Sequence, residues 1–205
     1  MLRRILSLDL NFSFIEIYDN ALSHEECDIL ISRFEKSEQG RGAVWKNGQM
    51  VRDPSVKDSI ELPNLRFSNG DLISNLIRTK LQSSIKKYIK KYSHISYLNT
   101  WKVEDGYTFK KFERGGGYKS WHHEHGPKNQ SQRILAWMFY LNNASGTDFM
   151  YYSTVRAKRG RCIIWPAGLT HMHKSQTNKG LKYIISGWIG YEEQWTSQTK
   201  LNYLN

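Results

Sequence analysis

The chain has almost no cysteine: two in 205 residues, Cys27 and Cys162, far apart and in unlike surroundings. That excludes the disulfide framework of a small secreted scaffold. Cys162, inside the apolar run "RCIIWP", reads as a reduced, buried thiol. Long hydrophobic runs are missing too. No stretch approaches the roughly 18 consecutive apolar residues of a membrane span. At the N-terminus, "MLRRILSLDLNF" is broken by Asp9 and Asn11 before a signal-peptide core is complete. Internal repeats and low-complexity segments are absent. The expectation is a soluble, cytoplasmic protein folded as one domain, long enough to bury a core without a staple. Acidic residues are the scarcer sign: 19 Asp and Glu stand against 30 Lys and Arg, a formal net charge of +11. The surplus attracts acidic partners of any kind. However, "IKKYIKKY" spaces its lysine pairs as the solvated face of a helix does, so charge alone selects no function.

Two textures divide the chain. "FSFIEIYDN" reads as a strand, and "SHEECDILISRFEKSE" reads as a helix whose Ser23 and Glu26 have capping-box spacing. Residues 37–70, rich in Gly, Asn, Asp and Pro, read as irregular chain. A second helix begins near Asp71, where Leu72, Leu76, Leu81, Ile85, Ile89 and Tyr92 form one apolar stripe. From Tyr97 short β-branched and aromatic runs alternate with turn signals: "SYLNTWKV", "YTFKKF", "ILAWMFYL", "DFMYYST", "RCIIWP" and "KYIISGWIGY". Strands so short and closely spaced predict a sandwich or barrel rather than βαβ units. The predicted class is α+β, with helices packed against a β-core. Residues 1–100 form a support region, 101–191 the core, and 192–205 a short helix or tail.

What stands out is "YKSWHHEHGPK", residues 118–128, with three of the seven histidines around one glutamate. In extended chain, residues i and i+2 point to the same side. His122 and Glu124 therefore aim at one point, with His123 and His125 on the other face. One imidazole and one carboxylate make two thirds of a 2-His-1-carboxylate facial triad, which leaves open positions on a metal and suits non-haem Fe(II) oxygenases. The third ligand comes from "WPAGLTHMHKS", where His171 and His173 share one strand parity and alternation does not choose between them. Nine residues past His173, Lys182 shares a strand face with Ile184, Ser186 and Trp188. A cation and a hydroxyl on one inward face suit an anionic cosubstrate. Each element alone has a plainer explanation, since His-x-Glu pairs and strand-end lysines are often solvated; their order along one β-rich half is the stronger signal.

The segment 109–191 resembles the double-stranded β-helix (jelly-roll, cupin-like) core of the iron(II)- and 2-oxoglutarate-dependent dioxygenases, in the prolyl 4-hydroxylase-like branch found in animals, bacteria and phages. "GGGYKSWHHE", "RILAWMFYLNN", "SGTDF", "IIWPAGLTHMHKS" and "GLKYIISGW" carry the resemblance in order, and "IYDNALSHEECDILISRFE" is similar to the lead-in of that branch. The resemblance implies that His122, Glu124 and His173 are catalytic metal ligands, with His171 in reserve. Glu124 departs from the more usual aspartate by one methylene. It further implies that Lys182, Tyr140 and Ser186 hold the distal carboxylate of 2-oxoglutarate, and that Tyr118 and Trp188 line the pocket. Lysine offers a point charge there without the fork of an arginine.

The implied activity is hydroxylation of an unactivated C–H bond, foremost in a peptidyl proline, with Fe(II), 2-oxoglutarate and O2 as cofactors, succinate and CO2 as coproducts, and ascorbate as an admissible auxiliary reductant. A small-molecule substrate stays open, because specificity lives in loops rather than in the fold. A loop from 37–70 is expected to cover the site. Two rivals remain: a zinc or other metal-dependent enzyme on a cupin-like fold, and a basic nucleic-acid-binding or nucleic-acid-modifying protein whose histidines are incidental.

Overall fold

The computed structural model describes residues 13–98 and 100–191. Its strands and helices are, in chain order, β1 (Glu16–Tyr18), α1 (His24–Glu35), β2 (Gly40–Arg41), β3 (Val44–Lys46), β4 (Gln49–Val51), β5 (Lys57–Asp58), β6 (Ile60–Leu62), α2 (Leu72–Lys91), β7 (Trp101–Phe112), β8 (Gly117–Tyr118), β9 (Arg133–Tyr140), β10 (Ala144–Phe149), β11 (Val155–Ala157), β12 (Arg161–Pro166), β13 (His173–Ser175) and β14 (Lys182–Tyr191).

Helix α1 begins where the capping box predicts: Ser23 Oγ accepts from Glu26 N at 3.2 Å while Glu26 Oε2 accepts from Ser23 N at 2.8 Å. Helix α2 starts behind Asp71, whose carboxylate accepts from Ser74 N at 2.8 Å. Its buried stripe is Ser74, Ile77, Leu81, Ser84, Ile85 and Tyr88. The predicted stripe has the right pitch but starts in the wrong place, because Leu72, in the first turn, is 82% exposed.

The strands form an antiparallel seven-stranded sheet ordered β1-β12-β9-β14-β7-β6-β2, faced by a three-stranded sheet ordered β11-β10-β13. Side chains alternate across the large sheet, so it serves two cores. Its outer face carries Phe109, Trp137, Phe139, Cys162, Ile164 and Ile185, packed on Cys27, Leu30, Phe34, Ile77, Leu81 and Tyr88 of the helices. Its inner face carries Phe112, Ala136, Tyr140, Ile163, Trp165 and Ile184, packed on Phe149, Val155 and Ala157. The double-stranded β-helix core with helices on one side is therefore the observed architecture. Cys27 and Cys162 are free, buried thiols.

Three local expectations need correcting. "SYLNTWKV" and "YTFKKF" contribute to one continuous strand, β7, of 12 residues. Of "DFMYYST" only Asp148 and Phe149 are strand, the end of β10, and Met150–Thr154 form a bend. Residues 37–70 are not structureless. They hold five short strands and a hairpin, β3–β4, that turns on Asn47 and Gly48 at φ 51° and 83°, the left-handed pair a two-residue loop requires. Among the described residues no helix is long and apolar enough to cross a membrane. The predicted C-terminal helix or tail lies outside the described residues.

Candidate active site

The inner face of the large sheet opens into a cavity of about 360 Å³, floored by His122, Glu124 and His173. Backbone pairing brings two of the three together. His122 N donates to His173 O at 3.0 Å and His173 N to His122 O at 2.8 Å, while Glu124 N is fixed by Ala167 O at 3.0 Å. One donor atom from each of the three side chains lies within 4.8 Å of the others. Glu124 Oε1 is 3.2 Å from His173 Nε2 and 4.0 Å from His122 Nε2.

Hydrogen bonds fix each side chain. His122 Nδ1 donates to Ser120 O at 3.0 Å and His173 Nδ1 to His171 O at 2.9 Å. Since carbonyls only accept, both protons sit on Nδ1 and both Nε2 lone pairs face the cavity. Trp188 Nε1 donates to Glu124 Oε2 at 2.6 Å, which leaves Oε1 for the histidine side. Tyr118 stacks on His122 at 3.7 Å and 18°. Trp165 and Phe149 flank His173, with ring centroids 5.1 and 5.6 Å away. Burial, followed by the neighbouring His173 ring, pushes His122 down to about 3. Burial would raise Glu124, but the nearby His173 and His122 side chains and the hydrogen bond from Trp188 outweigh it and hold the carboxyl far below the usual carboxylate range. The His122 imidazole is thereby held neutral and the Glu124 carboxyl ionised, the protonation states a metal needs of them.

His171 is not part of this group. Its Nε2 donates to Ser13 O at 2.7 Å, its Nδ1 meets Thr170 Oγ1 at 2.9 Å, and its ring stacks on Tyr152. Strand parity did not separate the two histidines; a 3-10 turn over Leu169–His171 does, ending just before β13. His125 turns away, its Nε2 donating to Arg133 O at 2.6 Å, whereas His123 still lines the cavity.

Of the residues expected to anchor a cosubstrate, Ser186 lines the cavity and shares a 2.8 Å hydrogen bond with Thr108 Oγ1. Tyr140 and Lys182 stand one layer deeper. The Tyr140 hydroxyl meets Thr147 Oγ1 at 2.7 Å, and Lys182 Nζ donates to Gly146 O at 3.0 Å, 5.5 Å from the Tyr140 ring. Burial pushes the Lys182 ammonium down to about 8. Thr147 itself lines the cavity. The sequence reading missed Thr147, and a lone threonine in "SGTDF" offered no signal. It also assigned no role to Arg133, which stacks on Trp188 at 3.6 Å and holds Glu104 through Nε and Nη2 at 3.0 and 3.3 Å.

A jelly-roll core that carries two imidazoles and one carboxylate in one open cavity has the donor set of the facial-triad class of metal sites. Residues 107–190, most of that core, match the family described as the 2OG-Fe(II) oxygenase superfamily, whose name specifies 2-oxoglutarate and Fe(II). Solved structures with the same fold include the viral collagen prolyl hydroxylase of Paramecium Bursaria Chlorella virus-1, at 21% identity and TM-score 0.65 over 87% of this chain and 97% of that one. A Pseudomonas putida prolyl-4-hydroxylase aligns at 13% identity and TM-score 0.63 over 90% and 96%. A Trichoplax adhaerens prolyl hydroxylase, bound to a hypoxia inducible factor peptide fragment, aligns at 15% and 0.62 over 88% and 85%. No curated protein sequence matches the chain.

Proposed function

We infer that the chain hydroxylates a proline within a peptide, with iron(II) held by His122, Glu124 and His173. The observation that carries this reading is the convergence of those three donors on one point. The donor set fits the metal: both Nε2 atoms are free because both Nδ1 atoms are spent on carbonyls, and Trp188 occupies the carboxylate oxygen that faces away. Lys182 supplies positive charge for the distal carboxylate of 2-oxoglutarate, and Tyr140, Thr147 and Ser186 supply hydroxyls. His122, Glu124 and His173 would hold the iron, which with 2-oxoglutarate would supply oxidation of a substrate C–H bond by one oxygen atom of O2, with succinate and carbon dioxide as coproducts.

The remaining work belongs to the protein. Tyr118, packed flat on His122, keeps that ring from rotating, and Trp165 with Phe149 keeps water from the His173 side. The β3–β4 hairpin brings Trp45 and Met50 to the cavity lip, both largely exposed, where they would close over a bound substrate. In this reading the helices buttress the sheet and residues 1–205 act as one catalytic unit. Proline is favoured because the three similar structures are prolyl hydroxylases, one of them with a peptide bound.

Anaerobic titration of the metal-free protein with Fe(II) and 2-oxoglutarate tests the cofactor half. A visible charge-transfer band should appear only when both are present. Peptides with and without proline, scored by a 16-dalton mass gain, test the substrate half. Mass gain on non-proline residues alone would remove the proline assignment.

A further inference from the structure

The inner face of β7 presents Thr108, Lys110 and Phe112 in alternation. Thr108 is bonded to Ser186 and Phe112 belongs to the core. Lys110 does neither. It lines the cavity, opposite Ile184 on one side and Glu61 on the other. The Glu61 carboxylate is already engaged by Lys57 Nζ at 3.0 Å and Ser59 Oγ at 2.7 Å. Among the described residues Lys110 makes no hydrogen bond and no ion pair. Its neighbour Lys111, on the other face of the same strand, is by contrast paired with Glu35 at 3.0 Å. Burial lowers the Lys110 pKa, with the field of Glu61 opposing the shift. Lys57 and Lys110 thus share the field of one carboxylate, Glu61, at the cavity wall, and an anionic ligand would supply the counter-charge that the second ammonium lacks.

Location separates Lys110 from the cosubstrate anchor. Lys182 lies beside Tyr140 and Thr147, on the β9 and β10 side. Lys110 lies toward β6, and with Lys57 it shares the cavity wall with Trp45 and Met50 of the lip. A substrate entering past that lip shares one cavity with Lys110 and the histidines. A second depression, of about 610 Å³, shares Arg133 and Trp188 with the cavity, so an extended chain has room to continue beyond it.

We propose that Lys110 is a specificity-determining residue that docks a carboxylate of the substrate, so that this site takes acidic peptides. The proposal rests on the hydroxylase reading and narrows its substrate class. Truncating one partner of a desolvated charge pair weakens binding by roughly 30-fold or more, which sets the expected effect.

The probe is a panel of amidated peptides with a single proline and one Glu placed one to three residues to either side, matched by a set with Gln. Equilibrium binding is measured on the metal-free protein, so the readout does not depend on turnover. The Glu peptides should bind roughly 30-fold more tightly at one register. Lys110→Gln should bring the ratio close to one, and Lys110→Arg should retain part of the preference. A third arm, neutral peptides with a free terminal carboxylate, separates a side-chain carboxylate from a chain end. Equal affinities for the wild-type protein, absence of binding by every peptide, or a preference that survives Lys110→Gln would each overturn the proposal. So would a Lys110→Gln defect confined to 2-oxoglutarate affinity. The wild-type ratio decides even if a variant fails to fold. Succinate release by the wild-type holoenzyme keeps the two readings apart: succinate without a Glu preference sinks only this proposal, whereas no succinate sinks the hydroxylase reading.

Discussion

At the scale of single residues, one side chain bears on the donor triad without belonging to it. Trp188 Nε1 holds Glu124 Oε2 at 2.6 Å, so Oε1 alone faces the histidines. Trp188→Phe keeps the ring and removes the donor. Metal affinity should fall about 10- to 100-fold, read by Mn(II) titration, whereas His122→Ala or His173→Ala should abolish specific binding. Unchanged affinity in Trp188→Phe would mean that packing alone orients the carboxylate. Lys182 gives a pH signature of two signs. Its folded pKa is lowered to about 8 while its unfolded value stays near 10.5. Between these values the unfolded chain binds the extra proton, so the stability of the ligand-free protein should rise with pH there. In the same window 2-oxoglutarate affinity should fall if, as proposed, this ammonium pairs with its distal carboxylate. Lys182→Met should abolish both slopes and, at pH 7, stabilise the ligand-free fold by roughly 1–3 kcal/mol, as read by urea melts. How much of the site is legible in the sequence follows from the same residues. His122 and Glu124 are legible because two-residue alternation is a local property. Lys110 and Lys111 are indistinguishable in "YTFKKF", and only the sheet sends one into the cavity and the other to Glu35.

At the scale of elements, β14 joins the two cores, and Gly187 is where it has no slack. A Cβ built there would stand 2.5 Å from Trp137 Cζ2 and 2.8 Å from Trp137 Cε2, inside a ring that is fully buried. Gly187→Ala must displace that indole, at a cost of about 1–3 kcal/mol. The added strain sits one residue from Trp188, so metal affinity should drop with stability; equal stability to the parent in a thermal melt would show that Trp137 repacks freely. The elements differ in legibility for a physical reason. Helix α1 and strand β12 carry self-contained signals, a capping box and a continuous apolar run buried on both faces at Cys162, Ile163 and Ile164. Strands β2 to β6 have only two or three residues each, too few for any period to register. Strands β5 and β6 are ordered by pairing with β8 and β7, which no local window contains.

At the scale of the whole molecule, one sheet separates two cores, and that sets how the protein should respond to its ligands. Alternate residues of β9, β12 and β14 belong to opposite cores: Trp137 and Phe139 face the helices, while Ala136 and Tyr140 face the cavity side. Neither core can melt while the sheet holds, and losing the sheet exposes both. Unfolding should therefore be one cooperative transition, with far-ultraviolet circular dichroism and tryptophan fluorescence coincident. The donor triad spans the 119–124 segment and β13, which are joined by the His122–His173 backbone pair and a few further hydrogen bonds. A ligand that binds only the assembled triad stabilises the entire cooperative unit, by about 2.7 kcal/mol at a hundredfold excess over its dissociation constant. For a domain of this size that corresponds to a rise in Tm of about 5–10 °C. Mn(II) with a non-reactive analogue of 2-oxoglutarate should produce the shift in both signals together, EDTA should reverse it, and His173→Ala should not show it. A shift confined to fluorescence would mean that the cavity side unfolds on its own, and the picture of a single sheet binding both cores would fall.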